Sequence, residues 1–182
     1  DSACSLPTHS LKEEIIETIH RQTILLAKEL QVVGLMNIQY AVKDESVYIL
    51  EVNPRASRTV PFVSKTIGVP LAKLAMKIMT GRTLQDLGFT RRPQFSHIAI
   101  KEAVFPFTKL GVSDVLLGPE MRSTGEVMGI DKSFGWAFAK SQAASGMPLP
   151  MGGTALLSVK DGDKSATVDI AQRLFQLGFS IN

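Results

Sequence analysis

Apolar positions at Leu11, Ile15, Ile19, Leu26 and Leu30 recur at helical spacing. Ser10-Leu11-Lys12-Glu13 ahead of them has the S-x-x-E form of a capping box, and Gly34 offers a stop, so the first predicted helix spans roughly residues 11–30. Residues 1–9, with Pro7, read as loop. Period-two runs at 36–43 and 47–53, joined by Asp44-Glu45-Ser46, predict a hairpin. Pro54 and Pro61 bracket an irregular stretch. Pro70 stands at a first helical position, with Leu71, Leu74, Ala75, Ile78 and Met79 on one face and Gly81 at the end. Residues 83–87 read as one further helical turn. Strands are predicted within 95–105 and at 126–130. A helix capped by Ser133 or Asp131 carries Phe134, Ala137, Phe138 and Ala144. Gly146-Met147-Pro148-Leu149-Pro150-Met151-Gly152-Gly153 reads as a linker. Beyond it, a buried strand at 154–160, a turn at 161–164, a helix at 165–177 and a strand from Phe179 form a βαβ unit.

Composition narrows the class. The 182 residues are 45% hydrophobic, enough for a real core in one or two domains. Twenty Lys and Arg against 17 Asp and Glu leave a charge of +3, too small and too scattered to indicate nucleic acid. One cysteine, Cys4, excludes an internal disulfide framework and a multi-cysteine metal knuckle, and fits a reducing, cytoplasmic setting. No apolar run approaches the roughly 18 residues of a membrane span. The chain begins at Asp1 rather than Met and stops in a strand, so the expectation is a piece of something longer. The seven methionines, Trp136, Phe134 and Phe138 are expected to pack the interior.

The hairpin carries the chemistry. Burying Met36, Ile38, Tyr40 and Val42 together with Tyr48, Leu50 and Val52 sets Lys43 opposite Val47 and Gln39 opposite Glu51. Gln39, Glu51 and Asn53 then share the other face with Asn37, Ala41, Val47 and Ile49. One carboxylate and two amides supply the hard oxygen donors that suit Mg²⁺ or Mn²⁺. Arg55 and Arg58 follow at once, and guanidinium groups beside such a site point to phosphoryl oxygens. The alternative is a surface hairpin with ordinary polar alternation.

The run Glu51-Val52-Asn53-Pro54-Arg55 after a Gln-bearing strand resembles the metal-binding hairpin of ATP-grasp ligases. The longer string from Gly34-Leu35-Met36-Asn37-Ile38-Gln39 through Arg58-Thr59-Val60-Pro61-Phe62-Val63-Ser64-Lys65 resembles the carbamoyl-phosphate synthase large chain. So do Asp1-Ser2-Ala3-Cys4-Ser5-Leu6-Pro7 and Gly118-Pro119-Glu120-Met121-Arg122-Ser123-Thr124-Gly125-Glu126-Val127-Met128-Gly129. The Pro54-Arg55-Ala56-Ser57-Arg58-Thr59 continuation argues against biotin carboxylase and D-Ala–D-Ala-type ligases. A non-catalytic packing fragment is the reading from a different class.

The resemblance implies an α+β fold. Residues 1–146 would be the C-terminal lobe of the second ATP-grasp module, an antiparallel sheet with helices. Residues 147–182 would open an α/β allosteric domain of methylglyoxal synthase type with its first βαβ. The implied reaction is ATP- and metal-dependent phosphorylation of carbamate to carbamoyl phosphate, for arginine and pyrimidine biosynthesis. Gln39, Glu51 and Asn53 match metal ligands, Gln39 and Glu51 also meeting ATP phosphates. Arg55 matches a phosphate-contacting catalytic arginine and Arg58 a position near arriving carbamate. Lys101 and Glu126 match charged positions of the carbamate tunnel. Asp1 and Glu102 match acidic positions that bind ornithine, although Phe105 departs from the smaller aliphatic residue expected nearby. Lys164 matches a lysine that meets the phosphate of nucleotide effectors. K⁺ is a further candidate ion. The implied partners are the remainder of the large subunit and a glutaminase small subunit. The adenine and ribose contacts would lie outside these residues, so the isolated chain is expected to bind ATP weakly and not to turn over carbamate.

Overall fold

The computed structural model describes residues 2–107 and 120–182. The chain divides into two compact units, 1–146 and 147–182. The expectations on Asp1, Gly118 and Pro119 lie outside the described residues.

In the first unit, a short strand β1 (Cys4–Leu6) precedes helix α1 (Glu13–Glu29). The hairpin strands are β2 (Asn37–Lys43) and β3 (Ser46–Asn53). Helices α2 (Thr59–Ile67) and α3 (Leu71–Met79) follow, then β4 (Ile98–Val104), β5 (Gly125–Asp131) and α4 (Phe134–Ala144). Strands β1, β4 and β5 form an antiparallel sheet in that order, while β2 and β3 form a separate two-stranded sheet among the described residues. Helix α4 lies on one face of the β4–β5 pair. A Cβ on Gly129 would stand 2.1 Å from the Ala137 carbonyl oxygen and 2.5 Å from the Ser141 nitrogen, so only glycine admits this approach. Ala137 and Ser141 are fully buried on the helix side. Ile100 and Glu102 share the Gly129 face, whereas Ala99, Lys101 and Ala103 point to the other. On that second side Phe62 and Thr66 of α2 are buried, and His97 Nε2 donates to the Thr66 carbonyl at 2.9 Å.

Several local expectations change. The first residues form β1 because Cys4 pairs with Lys101 across the sheet, a partner almost a hundred positions away. The Ser10–Glu13 box does not form: α1 starts after Lys12, whose side chain does not cap it. Between Pro54 and Pro61 the chain is not irregular throughout, since α2 begins at Thr59 with Pro61 in its first turn, where a missing N–H costs nothing. Gly68 closes α2 at φ +68°. Residues 83–87 are a turn, in which Thr83 N donates to Asp86 Oδ2 at 2.9 Å and Asp86 N to Thr83 Oγ1 at 3.1 Å. Ser133 caps α4 as predicted, accepting from Trp136 N at 3.3 Å. Trp136 itself is 67% exposed, and Met76, Met79, Met121, Met147 and Met151 are exposed too, so these residues do not fill the interior.

In the second unit, β6 (Gly153–Ala155) and β7 (Phe179–Ile181) pair in parallel around α5 (Lys164–Gln176), which a short 3₁₀ turn at Asp161–Asp163 introduces. The strand predicted at 154–160 is therefore shorter, and Leu156 is exposed. Among the described residues no helix is long and apolar enough to cross a membrane.

Candidate functional site

Asp44 and Glu45 turn the hairpin with φ +49° and +65°, so two residues close it where three were expected. Lys43 consequently faces Ser46, one place off the predicted pairing. The register recovers at a bulge. Tyr40 pairs with Ile49, Gln39 with Glu51, and Leu50 is left over. From there Ile38 faces Val52 and Asn37 faces Asn53. The predicted juxtaposition of Gln39 with Glu51 thus holds at the site end only. Nearer the turn, Val47 and Ile49 share the Tyr40 face, and Tyr48 moves to the Gln39 face. Tyr48 and Leu50, predicted buried, are 53% and 64% exposed. Tyr40 is anchored to α1, its hydroxyl 2.8 Å from Thr23 Oγ1.

Asn53 Nδ2 donates to Glu51 Oε1, drawing the two side chains together. The chain then turns sharply, with Arg55 N on the Asn53 carbonyl at 2.8 Å. Arg55 Nη1 donates to the Ala56 carbonyl at 3.0 Å. Asn37 Nδ2 donates to Ser57 Oγ at 3.4 Å and ties the start of β2 to this loop. Across the opening, Lys101 Nζ meets Glu126 Oε1 at 2.8 Å; the lysine side chain is 7% exposed and the glutamate 30%.

These groups share one cavity of about 360 Å³. Gln39, Glu51, Asn53, Arg55, Arg58, Lys101 and Glu126 all line it, with Ser2, Asn37, Ser57, Thr59 and Met121. Among the described residues its walls carry three cations against two carboxylates, and Lys101 and Glu126 are already paired, so Glu51 is the one further carboxylate beside the two arginines. Among the described residues no three His, Cys, Asp or Glu side chains gather as a metal cluster. The donor set that does converge is one carboxylate with the amides of Gln39 and Asn53, and its oxygens fit a hard divalent cation that keeps water or phosphate as further ligands. Cys4, beside Lys101 in the sheet, is half-buried; burial pushes its thiol up and Lys101 opposes this, leaving a protonated thiol rather than a nucleophile.

Other predicted residues lie elsewhere. Glu102 faces α4, where Gln142 Nε2 donates to its Oε2 at 2.9 Å, and it does not line the cavity. Asp1 is outside the described residues. Lys164 opens α5 in the second unit, its Nζ 2.6 Å from Asp161 Oδ1, beside a separate cavity of about 370 Å³ with Ser158, Val159 and Thr167. Sequence reasoning placed Asn37 on the site face without singling it out, and it missed Ser57 and Thr59. The signal for Ser57 was its position between two arginines.

The fold is of the ATP-grasp type. Over 78% of its length the chain resembles the ADP complex of N5-carboxyaminoimidazole ribonucleotide synthetase, with a TM-score of 0.59, 13% identity and 40% of that chain covered. At this identity the likeness is one of fold alone. The particular relationship lies in the sequence: residues 1–87 match the family described as carbamoyl-phosphate synthase L chain, ATP binding domain. The whole chain is 56% identical over 181 residues to the carbamoyl phosphate synthase large chain of Myxococcus xanthus and 58% identical over 186 residues to that of Nostoc sp.. Over its whole length its sequence is similar to the carbamoyl phosphate synthase large chains. It spans 17% of the length of either relative.

Proposed function

We propose that this chain forms the metal- and phosphate-binding wall of an ATP-grasp ligase site at which carbamate and ATP give carbamoyl phosphate and ADP. One observation carries the reading: Gln39, Glu51, Asn53, Arg55 and Arg58 converge on a single cavity although 19 positions separate the first from the last. Gln39, Glu51 and Asn53 would hold Mg²⁺ or Mn²⁺, which when bound neutralises phosphate charge. Arg55 binds oxygens of the transferring phosphoryl group and stabilises the charge that develops on them. Arg58 orients the incoming carbamate. The Lys101–Glu126 pair borders the route by which carbamate enters. Residues 1–146 belong to the second ATP-grasp module and 147–182 to the start of an allosteric domain, where Lys164 meets the phosphate of a nucleotide effector. Ornithine at Glu102 and Asp1, K⁺ as a further ion, a glutaminase small subunit and a cytoplasmic setting complete the assignment.

The test is Glu51→Gln in a full-length large chain carrying this segment. It removes the one carboxylate of the donor set at nearly constant shape. ATP-dependent carbamoyl phosphate formation should fall to background, with the fold intact by circular dichroism. Retained turnover would remove Glu51 from the site and overturn the reading.

A further inference from the structure

Ser57 lies between Arg55 and Arg58 in the loop from β3 to α2, and all three line the cavity. Its hydroxyl oxygen accepts from Asn37 Nδ2 at 3.4 Å. The direction of that bond fixes what remains. A serine hydroxyl has one proton and two lone pairs, so accepting from Asn37 leaves the proton to be donated. Among the described residues no protein acceptor takes it. The surroundings are those of an anion site: Arg55 and Arg58, either side of Ser57 in the sequence, line the same cavity, and Thr59 beyond it begins α2, whose first turn carries no acidic residue. A negatively charged ligand drawn between the arginines meets the Oγ–H.

We infer that Ser57 is a further binding residue of this site, donating its hydroxyl proton to a substrate oxyanion held by Arg55 and Arg58, and that Asn37 is the positioning residue that turns that hydroxyl toward the cavity. The inference rests on reading the cavity as a phosphoryl-transfer site. Two substrates bring such an oxygen there, the transferring phosphoryl group of ATP and the carboxylate of carbamate.

Steady-state kinetics of the full-length large chain test it, with Glu51→Gln as the reference. Ser57→Ala should lower kcat/KM about 10- to 100-fold, the usual cost of one hydrogen bond to a charged group. Ser57→Thr, which keeps the hydroxyl, should restore most of it. The thermal midpoint of Ser57→Ala should stay at the wild-type value. A rise in KM for ATP assigns the oxyanion to the phosphoryl group and a rise in KM for carbamate assigns it to that substrate; either supports the inference. Asn37→Ala should weaken activity less than Ser57→Ala, and the double variant should be no worse than Ser57→Ala alone. Wild-type kinetics in Ser57→Ala beside an inactive Glu51→Gln would overturn the role of Ser57 while leaving the site reading intact. An active Glu51→Gln overturns the site reading instead. Fully additive losses would overturn the positioning role of Asn37. A Ser57→Ala loss that tracks a lowered thermal midpoint and is not rescued by Thr would show a merely structural serine.

Discussion

Asp131 closes β5 with both carboxylate oxygens engaged. Lys140 Nζ reaches Oδ2 at 2.7 Å, and the backbone N–H groups of Lys132 and Ser133 donate to Oδ1 at 2.7 and 3.3 Å. The Lys140 ammonium, with help from the Ser133 N–H, holds this carboxyl below the usual aspartate range. The sign of the linkage follows. The unfolded chain binds the proton more readily, so the contribution to stability is present above the ordinary aspartate value of about 3.9 and is lost as pH falls through the lower folded value. Asp131→Asn should flatten that acid limb. Urea midpoints from about pH 6 down to about pH 3 should fall less in the variant than in the wild-type chain. At the same scale, the site residues differ in how legible they were. Glu51, Asn53, Arg55 and Arg58 could be read because they are close in sequence and chemically marked. The Lys101–Glu126 pair came only through resemblance, since two charges 25 positions apart reveal a contact only after β4 and β5 align.

At the scale of elements, the contact between α4 and the sheet depends on one missing Cβ. Gly129→Ala would drive a methyl group into the backbone of α4 at Ala137 and Ser141, where no flexible side chain can yield. Overpacking of this kind costs roughly 1–3 kcal/mol or more. The expected outcome is an unfolding free energy, measured by chemical denaturation, lowered by that amount, with loss of the Glu102–Gln142 hydrogen bond across the same seam. The hairpin shows what periodicity can and cannot supply. Alternation identified both strands and the facing of Gln39 with Glu51. It could not anticipate the two-residue turn or the bulge at Leu50, because each offsets the other and the polar pattern at the site end looks the same either way. Helix α2 was missed for a related reason: Pro61 reads as a breaker unless the helix is known to begin two residues earlier.

For the whole molecule, the composition of the cavity wall sets what the chain can do by itself. Met121 is the one apolar residue among the described residues of that wall, so this cavity offers groups for phosphate and a cation but no apolar slot for a base. Calorimetric titration of the 182-residue chain with Mg-ATP should therefore give binding no tighter than roughly millimolar, worth about 4 kcal/mol. Tight stoichiometric binding would place a complete nucleotide site within these residues. The division at 146–147 falls in the Gly-Met-Pro-Leu-Pro-Met-Gly-Gly run, where turn-forming residues interrupt both helical and strand periods. What the amino-acid sequence by itself determined was local: the extent of most helices and strands, the cap at Ser133, and the chemical identity of the donors beside the arginines. These follow from hydrophobic period and backbone preference over a few residues. The tertiary structure alone decided which distant groups meet. It paired Cys4 with Lys101, set Lys101 against Glu126 under partial burial, hung Ser57 on Asn37 and turned Glu102 away toward α4. Such contacts depend on sheet register and close backbone approach, which no short stretch of sequence encodes.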